Sequence, residues 1–271
     1  MALKILALIA TVVTLALIGG MMIFILIKGV PFINQSLFEV QYNSENQSLF
    51  SSVVDTVLMT VIALSIAGIL GIGAAIYLAE YTHSQSKLVV SIRYAFETLA
   101  GIPSIIYGLF GMLLFVVYFK MGYSLLAGSL TLAIMCLPLV MRTTEEALLA
   151  VPTSYREGSL ALGAGRLRTI FQIVLPAANP GIVSGLLLGV GRIMGETAAL
   201  IFTAGTVAAL PASLFSSVRT LSVHMYVLAS EGLYIDKAYA TAVVLLALVA
   251  VINVASWLMS ARLERKNYGS A

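Results

Sequence analysis

Arg192 and Glu196 stand four residues apart inside 181–203, a stretch that is otherwise free of charge. A charged side chain near the middle of a bilayer costs about 2.5–3.5 kcal/mol, so this pair demands a reason. A guanidinium is a planar fork of donors that matches the oxygens of an oxyanion. A carboxylate one helical turn away either holds that fork or neutralises it. Two readings stand open: an i,i+4 ion pair that braces a helix bundle, or two groups on a water-filled pathway. In the second, Arg192 meets a passing oxyanion and Glu196 keeps it from being trapped. Thr203 is the other polar candidate on this stretch.

A single helix through this stretch turns about 100° per residue. With Gly181 at zero, Gly185 falls at about 40°, Gly189 at about 80°, Arg192 at about 20°, Glu196 at about 60° and Thr203 at about 40°. Gly181, Gly185 and Gly189 are therefore expected to form a packing row that lets another helix come close. Val183, Leu187, Val190, Met194 and Ile201 lie on the opposite face, suited to lipid or apolar packing.

The rest of the chain offers no catalytic constellation. There is no G-x-x-x-x-G-K-[ST] loop. His83 and His224 fall on opposite sides of the expected membrane and cannot share a metal. Cys136 reads as a small buried apolar residue. Glu97 reads as a carboxylate at the start of the third span, favoured by the helix dipole.

The elements that position these residues follow from composition. Of 271 residues, 60% are hydrophobic and only 10% charged, against about 25% charged in a soluble domain. A soluble surface, a disordered chain and, with one cysteine, a disulfide framework are all excluded. The basic residues are scattered, which argues against nucleic acid. The sequence predicts an all-α integral membrane protein in which 1–271 form one transmembrane domain. Six spans are expected at 5–27, 56–78, 98–119, 125–141, 181–203 and 239–259. Pro138 is expected to end or kink the short fourth one. Basic residues concentrate on the side that holds both termini and the loop 142–180. That bias places both termini in the cytoplasm and the loops 28–55 and 204–238 outside. The first of these outer loops is polar and reads as a plain connector. The second is mixed, and is expected to lie on the membrane surface or against a partner. No internal repeat is visible.

Residues 155–176 read Y-R-E-G-S-L-A-L-G-A-G-R-L-R-T-I-F-Q-I-V-L-P. This resembles the loop signature of ABC-importer permeases, E-A-A-x-x-x-G-x9-I-x-L-P. The match falls on Glu157, Gly163, Ile173, Leu175 and Pro176, with Gly158 and Ser159 where the signature has alanines. A helix from about 154 to 162, ended by Gly163, is expected to project into the cytoplasm. Residues 191–197, G-R-I-M-G-E-T, resemble the G-R-x-x-G-E-T segment of phosphate-importer permeases, whereas sulfate and molybdate permeases usually continue as G-E-F. Residues 101–111, G-I-P-S-I-I-Y-G-L-F-G, and 210–231, with L-P-A-S-L-F and T-L-S-V-H-M-Y, are similar to the same group, the latter to its A-type (PstA) subunits.

The resemblance implies the type I ABC-importer permease fold, with six transmembrane helices and a cytoplasmic coupling helix. It implies a prokaryotic inner-membrane permease for inorganic phosphate that is not itself an enzyme and binds no cofactor or metal. Its implied partners are a paralogous PstC-type permease, two ATP-binding subunits that hold ATP and Mg, and an external phosphate-binding protein. Glu157, Gly158, Ser159, Gly163, Ile173, Leu175 and Pro176 would couple to the ATPase. Arg192, Glu196, Thr197 and Thr203 would line the path. A permease for another oxyanion, sulfate or phosphonate, is the alternative. An ion-coupled secondary carrier with Glu196 as a proton site is disfavoured by the docking loop.

Overall fold

The computed structural model describes residues 2–82 and 86–268, so His83 lies outside the described residues. Eleven helices follow one another, and no strand occurs among the described residues. They are α1 (Ala2–Gly29), α2 (Phe50–Ile76, prolonged by a π turn at Tyr77–Tyr81), α3 (Lys87–Ala100), α4 (Ser104–Gly111, prolonged by π-helical Met112–Tyr118) and α5 (Leu125–Leu149). Then come α6 (Thr153–Ala161), α7 (Arg166–Thr169), α8 (Leu175–Met194), α9 (Ala198–Ile201), α10 (Leu221–Glu231) and α11 (Ile235–Tyr268).

Among the described residues, five stretches are long and apolar enough to cross a membrane: Leu3–Phe32, Phe50–Tyr81, Leu125–Leu149, Arg166–Met194 and Ile235–Ala255. A sixth arises when α3 and α4 are taken as one broken span, bent by 99°. The sequence suggested an unbroken span at 98–119. Pro103 disfavours helix at Ile102 before it, and Gly101 ends α3. The Tyr107 hydroxyl donates to the Leu99 carbonyl at 2.7 Å and holds the two arms of the bend together.

At the centre, α2 packs along α5, and α8 lies against both. Small residues set this closeness: a Cβ at Gly71 of α2 would sit 3.1 Å from Val140 Cγ1 and 3.2 Å from the Met141 nitrogen. Met59, Ala63, Leu132, Met135, Cys136 and Ile193 fill the core between them. α5 does not end at 141: it runs through Pro138 to Leu149, eight residues past the expected end. At the start of α8, Pro176 has no N–H for the carbonyl of Gln172, and the preceding turn, Ile170–Val174, is π-helical. α1 stands at the edge and touches α11, with Phe24 edge-on to Tyr239.

The two ends of the bundle differ. One carries α6 and α7. At the other, residues 203–220 fold back over the start of α5 and satisfy its first free amides. Ser124, Leu125 and Leu126 donate to the carbonyls of Thr203, Ser216 and Leu214 at 3.0, 2.9 and 2.9 Å. The loop 28–55 is no plain connector. Asn43, Asn46 and Ser48 knit it internally, and Leu37 and Leu49 are buried beneath it.

Candidate functional site

α8 carries the glycine row against α5 and α2. A Cβ at Gly181 would lie 2.6 Å from Ala147 Cβ, one at Gly185 2.7 Å from Thr143 Cβ, and one at Gly189 3.0 Å from Leu64 Cδ1. Val190 and Met194 on the far side are buried in protein rather than lipid-facing.

The helix stops at Met194, with Gly195 as its C-cap. This corrects the single-helix projection. Arg192 lies in the last turn of α8, whereas Glu196 lies beyond it and turns the other way. Glu196 Oε1 accepts from the amide of Ala199 at 3.1 Å and caps α9. Its carbonyl takes the Ser222 hydroxyl at 2.5 Å. No ion pair joins Arg192 to Glu196 among the described residues. The bracing i,i+4 pair is therefore absent, because the chain leaves helical geometry between them. Thr197 serves as N-cap residue of α9. Thr203 is fully buried and bonds the Ala199 carbonyl at 2.8 Å, so its hydroxyl is spent inside the bundle.

Arg192 lines instead a cavity of about 470 Å³ whose other walls come from α3 and α5. Three arginines, Arg93, Arg142 and Arg192, and three glutamates, Glu97, Glu145 and Glu146, line it. Arg93 on α3 pairs with Glu145 on α5 at 2.6 Å. Arg142 pairs with Glu146 at 3.0 Å and lies 3.9 Å from Glu97. Arg192 has no ion-pair partner among the described residues. The cavity thus holds balanced charge with one unpaired cation at its inner end, an arrangement able to hold a small anion weakly. Glu97 lies in the last turn of α3, not at a helix start. Arg142, Glu145 and Glu146 fall in the expected loop 142–180, beyond the apolar run that marks the fourth span, so the apolar pattern alone does not place them on a helix. The i,i+4 spacing of Arg142 and Glu146 was the available signal.

At the α6 end, α6 spans Thr153–Ala161 and buries none of its residues. Gly163 follows at φ +82, the left-handed region that glycine enters without penalty. Glu157, Gly158, Gly163 and Pro176 are exposed, and Ser159 and Leu175 half-buried. Gly158, Ser159, Gly163 and Ile173 line one recess of about 520 Å³ with Tyr155 and Arg168. Leu162, Leu167 and Phe171 also present apolar surface there, Leu162 being 91% exposed.

A third cluster lies at the opposite end. Asp55 of α2 accepts from the Arg219 amide at 3.2 Å, and Thr56 from the Leu221 amide at 2.9 Å. Both contacts seat the start of α10 on α2. The Arg219 guanidinium lies over the Tyr42 ring at 5.5 Å and contacts His224 Nδ1 at 3.4 Å. Burial first, then the Arg219 charge, hold the His224 imidazole down at about 3. No group of three or more metal-ligating side chains occurs among the described residues.

Comparison with known proteins gives a consistent picture. The family profile described as "Binding-protein-dependent transport system inner membrane component" matches residues 68–267. "Probable ABC transporter permease protein YqgI" of Bacillus subtilis is 36% identical over 206 residues, 70% of this chain and 70% of that one. "Phosphate transport system permease protein PstA 2" of Mycobacterium bovis is 37% identical over 185 residues, 68% of this chain but only 61% of its own length. Among solved structures, a chain of the alginate ABC transporter complexed with its periplasmic protein superposes with a TM-score of 0.72 at 16% identity, covering 96% of this chain and 94% of that one. A chain of the inward-facing MetNI methionine ABC transporter gives 0.69 at 20% identity, covering 82% and 99%. These two share the fold.

Proposed function

The chain belongs to the family of binding-protein-dependent transport system inner membrane components, and from that premise we propose that it is the A-type permease subunit of an ATP-driven importer of inorganic phosphate. The end bearing α6 is then cytoplasmic, as are both termini. A paralogous permease completes the pathway, two ATP-binding subunits hold ATP and Mg below α6, and a phosphate-binding protein delivers cargo to the α10 end. The observation that carries this reading is Arg192, without an ion-pair partner among the described residues, in a cavity whose other charges are the pairs Arg93–Glu145 and Arg142–Glu146 with Glu97 beside Arg142.

A phosphate ion descending between two permeases sheds part of its water, and a guanidinium replaces those hydrogen bonds bidentately. The paired carboxylates around it make the site shallow, so the ion moves on toward the α6 end. Arg142 joins Arg192 on this path. The similarity to phosphate permeases favours phosphate over sulfate or phosphonate.

The test is uptake of labelled phosphate by the complete transporter in liposomes, with sulfate as competitor. Arg192→Gln is expected to lower uptake at least about tenfold, the worth of one charged hydrogen bond, with assembly unchanged. Undiminished uptake removes Arg192 from the path, and stronger competition by sulfate reassigns the cargo.

A further inference from the structure

α6 faces an unusual mechanical problem. It buries no residue, so apolar packing does not fasten it to the bundle, yet the function proposed above requires it to move the bundle. Its attachment is polar: the Ser159 and Thr169 hydroxyls bond each other at 2.9 Å, and the remaining side-chain contacts converge around Glu80. Arg156 of α6 donates to Glu80 at 2.6 and 3.1 Å, and to the carbonyls of Leu148 and Val151 at 2.9 and 2.8 Å. One guanidinium thus closes the open end of α5 and grips the π turn that ends α2. Glu80 is nearly buried, its side chain 8% exposed, and Arg156 21%. From the other side of the Gly163 turn, Arg166 donates to the Glu80 carbonyl and lies over the Tyr81 ring at 4.8 Å. Both arms of the loop hold the same residue.

α2 leads from this point through the whole bundle. With its π turn it forms a 32-residue span, roughly 48 Å at about 1.5 Å per residue. Its far end holds the start of α10 through Asp55 and Thr56. Ser222 of α10 in turn holds the carbonyl of Glu196, four residues from Arg192. The contacts are contiguous from α6 to the turn beside Arg192, which a transmitted motion needs.

We infer that the Arg156–Glu80 pair is the joint through which movement of α6 drives α2, and that these two are positioning residues for transport although neither lies on the anion's path. This rests on the reading of α6 as the ATPase-docking helix. A buried, hydrogen-bonded pair suits the role: it resists sliding where an apolar contact would slip, and it keeps α6, α5 and α2 in one register.

The test uses the complete transporter in liposomes with Glu80→Gln, Arg156→Gln and the exchanged pair E80R/R156E. The single variants are expected to co-purify with the ATP-binding subunits and to hydrolyse ATP within about twofold of normal. Phosphate taken up per ATP is expected to fall about tenfold, within the usual 5–150-fold range of coupling between sites, and the exchanged pair to recover part of it, because a carboxylate at 156 restores the ion pair but cannot donate to the Leu148 and Val151 carbonyls. An unchanged uptake per ATP in the single variants overturns the joint. So does failure of assembly in all three proteins, which marks a role in folding alone. A second measurement does not depend on the cargo. Spin labels at Tyr77→Cys and Tyr155→Cys, both on exposed positions, are expected to keep a fixed separation through the nucleotide cycle in the native pair and a broadened one in E80Q. A separation that changes with nucleotide in the native pair overturns the joint. A wild-type complex that moves no phosphate overturns the functional reading instead and leaves this distance to decide the joint.

Discussion

Glu196 sits one residue past the point where it still has a helical partner, and this small fact reassigns its chemistry. With Gly195 ending α8, its carboxylate caps α9 and its carbonyl anchors Ser222. Arg192 is left without an ion-pair partner among the described residues. His224 gives a comparable case at the α10 end. The unfolded chain takes up a proton near the usual 6.5, the folded one only near 3. Between these values the unfolded state binds more protons, so folding stability is full above about 6.5 and falls as the pH drops through the window. The slope reaches at most about 1.4 kcal/mol per pH unit for one proton. Melting temperatures of the solubilised complex, taken from about pH 7 down to about 4.5, should fall less for His224→Gln than for the native protein. Parallel curves would show that the imidazole is not held neutral by burial.

At the scale of elements, the closeness of α8 to α5 depends on what is missing from its surface. A Cβ at Gly185 already comes within 2.7 Å of Thr143 Cβ, so Gly185→Val must push the helices apart. Overpacking of this kind costs typically about 1–3 kcal/mol, and the variant should melt several degrees lower, while Gly191→Ala, where a Cβ meets nothing within 4 Å, should melt as the native protein does. The glycine row was legible because helical spacing is a local property of sequence. So was α6, since a short helix ended by glycine needs only its own residues. The broken third span was hidden because the apolar run 98–119 masked Gly101 and Pro103. The charged cavity was hidden because α5 continues beyond the apolar stretch, turning expected loop residues into helix. Glu80 and Arg156, 76 positions apart, have no local spacing to announce them, and only the fold brings them together.

Among the described residues, apolar surface is uncovered along the membrane-spanning helices, on the loops of the α10 end, where Val40, Leu214 and Phe215 are exposed, and at the α6 end. Along α1 and the outer faces of α2 and α11, Leu6, Leu17, Val61, Ile69 and Val251 are exposed, as suits helices that face lipid. At the α6 end the situation is different, because Leu160, Leu162, Leu167 and Phe171 are exposed beside Arg156, Arg166 and Arg168 on short polar helices. Large apolar side chains gathered in this way mark a surface that a protein or a membrane covers. The turn that presents them depends on Gly163 at φ +82, where a β-branched residue pays about 1–2 kcal/mol or more. Gly163→Val should therefore reshape the docking face without touching the transmembrane core. The expected result is normal insertion and normal pairing with the second permease, but loss of the ATP-binding subunits on affinity purification and, with them, of ATP-driven uptake. If the ATP-binding subunits still co-purify in native amounts and uptake persists, α6 is not their docking site, and the exposed leucines there require a different partner.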